Sequence, residues 1–294
     1  MLTDFSIVAQ LTISGALMGL VYTLIAYGFQ LTYATSKSIN FGQGELVMLS
    51  AFFSLGLIDR DLPFAAVVLG GLLFGTVLGL VVERTAVRLA LEQKNEGWIL
   101  LTVIFGLLGF SVAENIYGRD DRNFPTPIPA DSMSIFNISI TPLEISVALG
   151  VLTIMGVIEL LKRRTLLGKA FAAVSADRDA AELMGISATR IIMLSYGLSG
   201  MVAAMAGILV APITTVGPTM AAALILKAFA VAVVAGLNSG MGIILTGLFL
   251  GALESLASFY IGSGWREAPG LILLILALAL RPHGIFGHAV ARKV

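Results

Sequence analysis

Residues 64–82 read FAAVVLGGLLFGTVLGLVV, a run of nineteen positions with no charge and no proline. As an α-helix it is about 28 Å long, close to the roughly 30 Å of hydrocarbon in a bilayer. The run is continuously apolar and does not alternate with polar residues, which excludes a strand of a membrane β-barrel. Gly71, Gly75 and Gly79 recur every fourth residue, so a helix carries them on one face, where another backbone can approach closely. The segment is therefore read as a membrane-spanning helix with one tightly packing side.

Comparable runs lie on both sides of it: Ile7–Tyr33, Trp98–Tyr117, Leu143–Leu161, Ile191–Ala211 and Gly242–Ile261, with shorter ones at Leu46–Ile58, Ala221–Leu237 and Gly270–Leu280. Together they predict an all-α integral membrane protein, a polytopic bundle of about eight to ten membrane elements forming one domain over residues 1–294. Composition agrees. Of 294 residues 57% are hydrophobic and only 12% charged, with a mean hydropathy of +0.96, whereas soluble domains carry about 25% charged residues. A net charge of +0 provides no field to attract nucleic acid. Cysteine is absent and only His283 and His288 occur, so thiolate chemistry and Cys- or His-rich metal sites are excluded from the spans. The opening Met-Leu-Thr-Asp lacks a basic n-region, and the first apolar run is read as a retained helix.

Charge distribution orients the bundle. With nine alternating elements, one set of loops holds thirteen basic residues, from Lys37 through Arg84, Arg88 and the Lys162–Arg190 segment to the C-terminal Arg281, Arg292 and Lys293. The opposite loops hold four: Arg60, Arg119, Arg122 and Arg266. The basic side is read as cytoplasmic, in a multi-pass protein of a bacterial inner membrane.

Two interruptions break the apolar pattern. Ser36–Glu45, SKSINFGQGE, is polar and glycine-containing. It is either a short turn, with Glu45 at the start of the next helix, or a broken helix lining a substrate path, since unwound backbone at membrane depth requires protein or water around it. Gly236–Gly242, GLNSGMG, poses the same choice between a tight hairpin and a second broken helix. Candidate pathway residues are thus Asn40, Gln43, Glu45 and Asn238, joined by Lys227 and Glu254, two charges inside apolar runs. If the glycine turn makes their helices antiparallel, Lys227 and Glu254 sit at similar depth and can pair. Glu114 and Glu159 lie near span ends and are read as interfacial. The eleven methionines are read as core filling.

Residues 162–190, KRRTLLGKAFAAVSADRDAAELMGISATR, form the longest loop on the basic side. Ala173, Asp177, Ala181 and Gly185 recur every fourth residue, which predicts a helix with a narrow small-residue stripe suited to a groove in another protein. Gly185 is the expected C-cap, with Ser187 or Thr189 opening the next helix.

Four blocks in order, SINFGQGELVMLSAF, GKAFAAVSADRDAAELMGI, LKAFAVAVVAGLNSGMG and LRPHGIFG, resemble signatures of the membrane permease subunits of branched-chain amino acid ABC importers, and the resemblance spans about Gly15 to Gly287. It implies a type II-like importer permease that pairs with a second related permease, docks two cytoplasmic ATPase subunits and receives cargo from an extracytoplasmic solute-binding protein. It also implies that Ala173–Ile186 is the segment coupled to the ATPases, and that Asn40–Glu45 and Lys227–Asn238 line or brace the central path. Gln43 departs from the histidine found in many relatives. The chain has no G-x-x-x-x-G-K-[ST] phosphate loop, so no cofactor is expected here and ATP is expected to be used by partner subunits. Related permeases serve urea, amides or aromatic acids. The competing class is an ion-driven secondary carrier, for which Lys227 and Glu254 are the available relay groups.

Overall fold

A computed structural model describes residues 2–93, 95–129, 131–135, 138–281 and 284–287. Helix α1 (Leu2–Ser36) leads through residues 37–42 into α2 (Gln43–Ile58) and then α3 (Phe64–Val82). A π-helical turn at Glu83–Val87 carries α3 into α4 (Arg88–Glu92), and α5 (Trp98–Tyr117) returns. An antiparallel pair of short strands, β1 (Met133–Ile135) and β2 (Ile138–Ile140), precedes α6 (Pro142–Arg164). Two short helices, α7 (Leu166–Ala176) and α8 (Arg178–Leu183), lead to α9 (Ala188–Thr214), α10 (Met220–Ala235), α11 (Gly240–Tyr260) and α12 (Ala268–Leu280). Among the described residues, each of the nine apolar runs read from the sequence corresponds to one helix. Seven helical segments among the described residues are long and apolar enough to cross a membrane, one of them running from Phe64 through the π turn to Glu92 and another from Ser263 to Leu280. Pro282 and His283, within the LRPHGIFG block, lie outside the described residues.

Helices α1 and α9 form the centre, and small residues determine how closely their neighbours approach. A Cβ on Gly79 would meet the Tyr196 carbonyl oxygen, and one on Gly200 would meet that of Gly75, so α3 and α9 cross backbone to backbone. The same device joins α1 to α11, where Gly19 faces Gly247 and Gly251 faces Gly15. In lipid, where apolar burial adds little to association, such close van der Waals contact is what holds helices together. Outward faces carry exposed Leu73, Leu107, Leu108 and Leu149, in keeping with contact to acyl chains.

Helices α2 and α10 have 16 residues each, about 24 Å, which is short of a full crossing. They begin against each other: a Cβ on Gly44, in the first turn of α2, would lie 2.9 Å from the carbonyl oxygen of Ala221 in the first turn of α10. From there they diverge. Helix α2 ends at the face where Asp59 meets Arg122, and α10 ends at the basic face, where Leu237 and Asn238 share a cavity with Lys162.

One sequence reading is corrected here, and one choice that the sequence left open is decided. Arg84 and Arg88 do not lie in a loop, because the helix continues through the π turn, with buried Glu83 held by Arg88 through bonds of 3.1 and 2.8 Å. That pairing satisfies a carboxylate that would otherwise be stranded in an apolar helix. The second interruption is not a broken helix. Gly236 takes a positive φ of 84°, Asn238 is exposed, and the Ser239 side chain caps α11 by accepting from the Gly242 amide, which makes a tight turn at the basic end.

Candidate functional site

The first interruption is an interior structure. Lys37 ends α1 in the left-handed region, and the chain then turns inward, burying Ser38, Asn40 and Gln43 completely or nearly so. Each buried polar group finds a partner, as membrane depth requires. Asn40 accepts from the Gly42 amide at 3.0 Å and donates to Gln43 at 3.2 Å. Gln43 in turn donates to the Ser199 carbonyl oxygen at 3.2 Å, and the Ser199 hydroxyl lies 3.1 Å from Gln43 and 3.0 Å from the Gly28 carbonyl oxygen. Ser38 bonds the Tyr196 hydroxyl at 2.8 Å, and Thr102 on α5 accepts the Phe41 amide at 3.3 Å. Asn40 and Gln43 therefore form a polar seam joining α1, α2 and α9, with their hydrogen-bonding groups directed at protein.

Glu45 stands apart from this seam. Its carboxyl group lies beside Gly106 of α5, in space that a side chain there would fill, with its Cβ toward Gly109, and its buried Oε2 has no partner among the described residues. Lys227 and Glu254 do meet, with Nζ 3.0 Å from Oε2. The hydroxyl of Tyr22 donates to the same oxygen at 3.1 Å, and the ammonium stands 5.4 Å from the centre of the Tyr22 ring. This pair links α10 to α11 and, through Tyr22, to α1. Glu114 and Glu159 sit near helix ends, bonded respectively to Arg119 and to Lys162 and Arg163.

The candidate pathway residues thus divide. Asn40 touches Gln43, Lys227 touches Glu254, Glu45 is separate, and Asn238 lies at the basic face in a cavity of about 600 Å³ between α1, α6 and α7. Lys37 also lines that cavity, and partial desolvation there lowers the pKa of its ammonium.

At the same face α7 and α8 correct the reading of a single striped helix. Asp177 is extended (φ −157°, ψ 113°) and its side chain caps α8 by accepting from Ala180, which breaks the helix between Ala173 and Ala181. Ala181 is buried and faces its own bundle. Gly185 takes the expected positive φ, 83°, and Ile186 follows it half-buried against the core. The exposed surface of the protrusion is instead apolar at its tip: Leu183 and Met184 are 90% and 82% exposed. Counting every fourth residue missed them because the chain changes direction at Asp177, and the Leu-Met pair next to Gly185 was the signal available.

Residues 11–280 match the family of branched-chain amino acid transport system permease components. The chain is similar to the high-affinity branched-chain amino acid transport system permease protein LivH of Salmonella typhimurium, 27% identical over 304 residues covering 97% of each chain. It is similar to the permease protein BraD of Pseudomonas aeruginosa, 28% identical with the same coverage. A probable branched-chain amino acid transport permease of Methanocaldococcus jannaschii is 26% identical, over 90% of this chain and 88% of that one.

Proposed function

Because the chain belongs to the family of permease components of branched-chain amino acid transport systems, we propose that this multi-pass ABC importer permease moves branched-chain amino acids across a bacterial inner membrane. Its basic face is cytoplasmic, following the excess of Lys and Arg there. In this reading it forms half of a translocation path completed by a second related permease, an extracytoplasmic binding protein delivers cargo, and two cytoplasmic ATPases hydrolyse ATP. The similarity of the relatives over nearly the whole chain supports the substrate assignment.

The observation that carries the coupling role is the α7–α8 protrusion. Its core side is anchored by Phe171, Val174 and Ala181, while Leu183 and Met184 project into solvent on the side assigned to the ATPases. Two exposed apolar side chains at the tip of a rigid, capped element suit a hydrophobic pocket in a partner, where a few central anchors dominate binding. The polar seam and the buried ion pair hold the helices around the path in register.

Leu183→Asp combined with Met184→Asp tests this. The variant should insert and melt like the wild type, because neither side chain is buried, yet lose co-purification with the ATPases and lose uptake in proteoliposomes. Normal assembly and uptake would remove the protrusion from the coupling role. Ion-driven uptake by the purified chain alone would instead favour a secondary carrier.

A further inference from the structure

Where α7 packs against the basic ends of α6 and α9, the three helices leave a groove of about 180 Å³ between them. Ile158 and Leu161 of α6, Phe171 of α7, and Ile191, Leu194 and Leu198 of α9 make its walls almost wholly apolar. Ile158, Phe171 and Ile191 form a buried floor, whereas Leu161 and Leu194 are 48% and 40% exposed, so the groove opens away from the bundle. Leu194 and Leu198 stand on one stripe of α9 and carry the trough from the basic end toward the middle of the span.

The mouth of the groove is cationic. Arg164 follows Leu161 by three residues at the end of α6, and Arg190 precedes Leu194 by four in the first turn of α9, so each arginine continues the groove-side stripe of its own helix. Both are exposed, and neither forms an ion pair or a side-chain hydrogen bond among the described residues. Lys162 and Arg163 differ from them. Glu159 holds both, and the Lys162 ammonium also stands 5.5 Å from the centre of the Phe171 ring. Helix α7 begins beside the mouth with Leu166 and Leu167, which are 81% and 62% exposed. Bare leucines next to unpaired arginines match the boundary between headgroups and acyl chains, where apolar side chains enter lipid and cations stay with phosphates.

A free anion would occupy the arginines and leave the groove empty. A zwitterionic lipid would fill the groove but bring a cation of its own to two others. We propose that this groove is a binding site for an anionic phospholipid in the leaflet at the basic face, with one acyl chain against Ile191, Leu194 and Leu198 and the phosphate held by Arg164 and Arg190. The two helices that wall the groove carry the two arginines, whose planar forks suit phosphate oxygens. The site does not depend on which cargo the importer carries. Because Gly168 and Phe171 line the groove, the lipid fastens the base of the protrusion whose tip presents Leu183 and Met184.

The test uses the full importer, both permeases with their ATPases, stripped of lipid in detergent and titrated by native mass spectrometry with phosphatidylglycerol, phosphatidylcholine and inorganic phosphate. Phosphatidylglycerol should bind at least about tenfold more tightly than phosphatidylcholine, the weight of one charged hydrogen bond. Arg164→Gln combined with Arg190→Gln should bring the two lipids close to equal affinity at an unchanged melting temperature, since both side chains are exposed. Leu194→Trp, which fills the groove from its open edge, should weaken phosphatidylglycerol about tenfold with both arginines in place. Phosphatidylglycerol should also slow amide exchange across residues 166–176 in the wild type and not in the arginine variant. Equal affinities for the two lipids in the wild type, or phosphatidylglycerol affinity unchanged in either variant, would overturn the site. Displacement of phosphatidylglycerol by inorganic phosphate would reduce it to an anion site and equally overturn the lipid assignment. Binding by the isolated chain that is lost in the importer would give the groove to the second permease instead.

Discussion

The two interruptions in the apolar pattern look alike in sequence, each a few polar residues with glycine and asparagine, and they fold into opposite kinds of structure. Residues 37–42 turn into the bundle, and Asn40 and Gln43 become fully engaged interior groups. Residues 236–239 turn back at the basic surface with Asn238 exposed. The surroundings decide the outcome. The first segment faces Ser199, Tyr196 and Thr102, hydroxyls that can pair with a buried polar strand. The second has aqueous surface beside it and needs only a positive-φ glycine and a serine cap. Similar polarity therefore serves side-chain bonding in one place and chain reversal in the other.

That contrast is broken most forcefully through what the turn accomplishes at a distance, since it places α10 antiparallel to α11 and so pairs Lys227 with Glu254. Glu254→Leu should destabilise by about 3–5 kcal/mol by leaving the ammonium without its carboxylate, read as a large drop in thermal midpoint in detergent. Combining it with Lys227→Met should recover much of the loss, and simple additivity in that double-mutant cycle would show that the pair does not act as a unit.

The next effect belongs to the interior segment. Gln43→Leu strands Asn40 and the Ser199 carbonyl oxygen and should cost about 1–3 kcal/mol. A melting temperature equal to wild type would mean that residues 37–42 are not the tightly bonded interior described above.

For the surface turn, sensitivity should shift from side chain to backbone. Gly236→Ala forces a Cβ into a positive-φ conformation and should cost about 1–2 kcal/mol. Asn238→Ala, the smallest change of the series, should stay within about 0.5 kcal/mol. A greater loss for Asn238→Ala than for Gln43→Leu would reverse the assignment of interior and surface.

Much of the molecule could be read from composition and periodicity. An apolar run of about 20 residues has few physical outcomes other than a membrane helix, so all nine elements were recognised. The glycines of α3 announced a close crossing, although only the fold identified Tyr196 and Gly200 as what they meet. Lys227 with Glu254 was legible because spacing from a turn sets depth, and Gly185 because a positive φ favours glycine. Other features required the tertiary structure: which of two similar interruptions is interior, that α2 and α10 start against each other, that α8 breaks from α7 at Asp177, and that Lys37 and Lys162 share one cavity. Periodicity reports the environment of a residue relative to its own helix axis; which interruption is interior and where α2 meets α10 depend on partners dozens to more than a hundred positions away, whereas the break at Asp177 is a local side-chain cap to Ala180 that counting every fourth residue does not register.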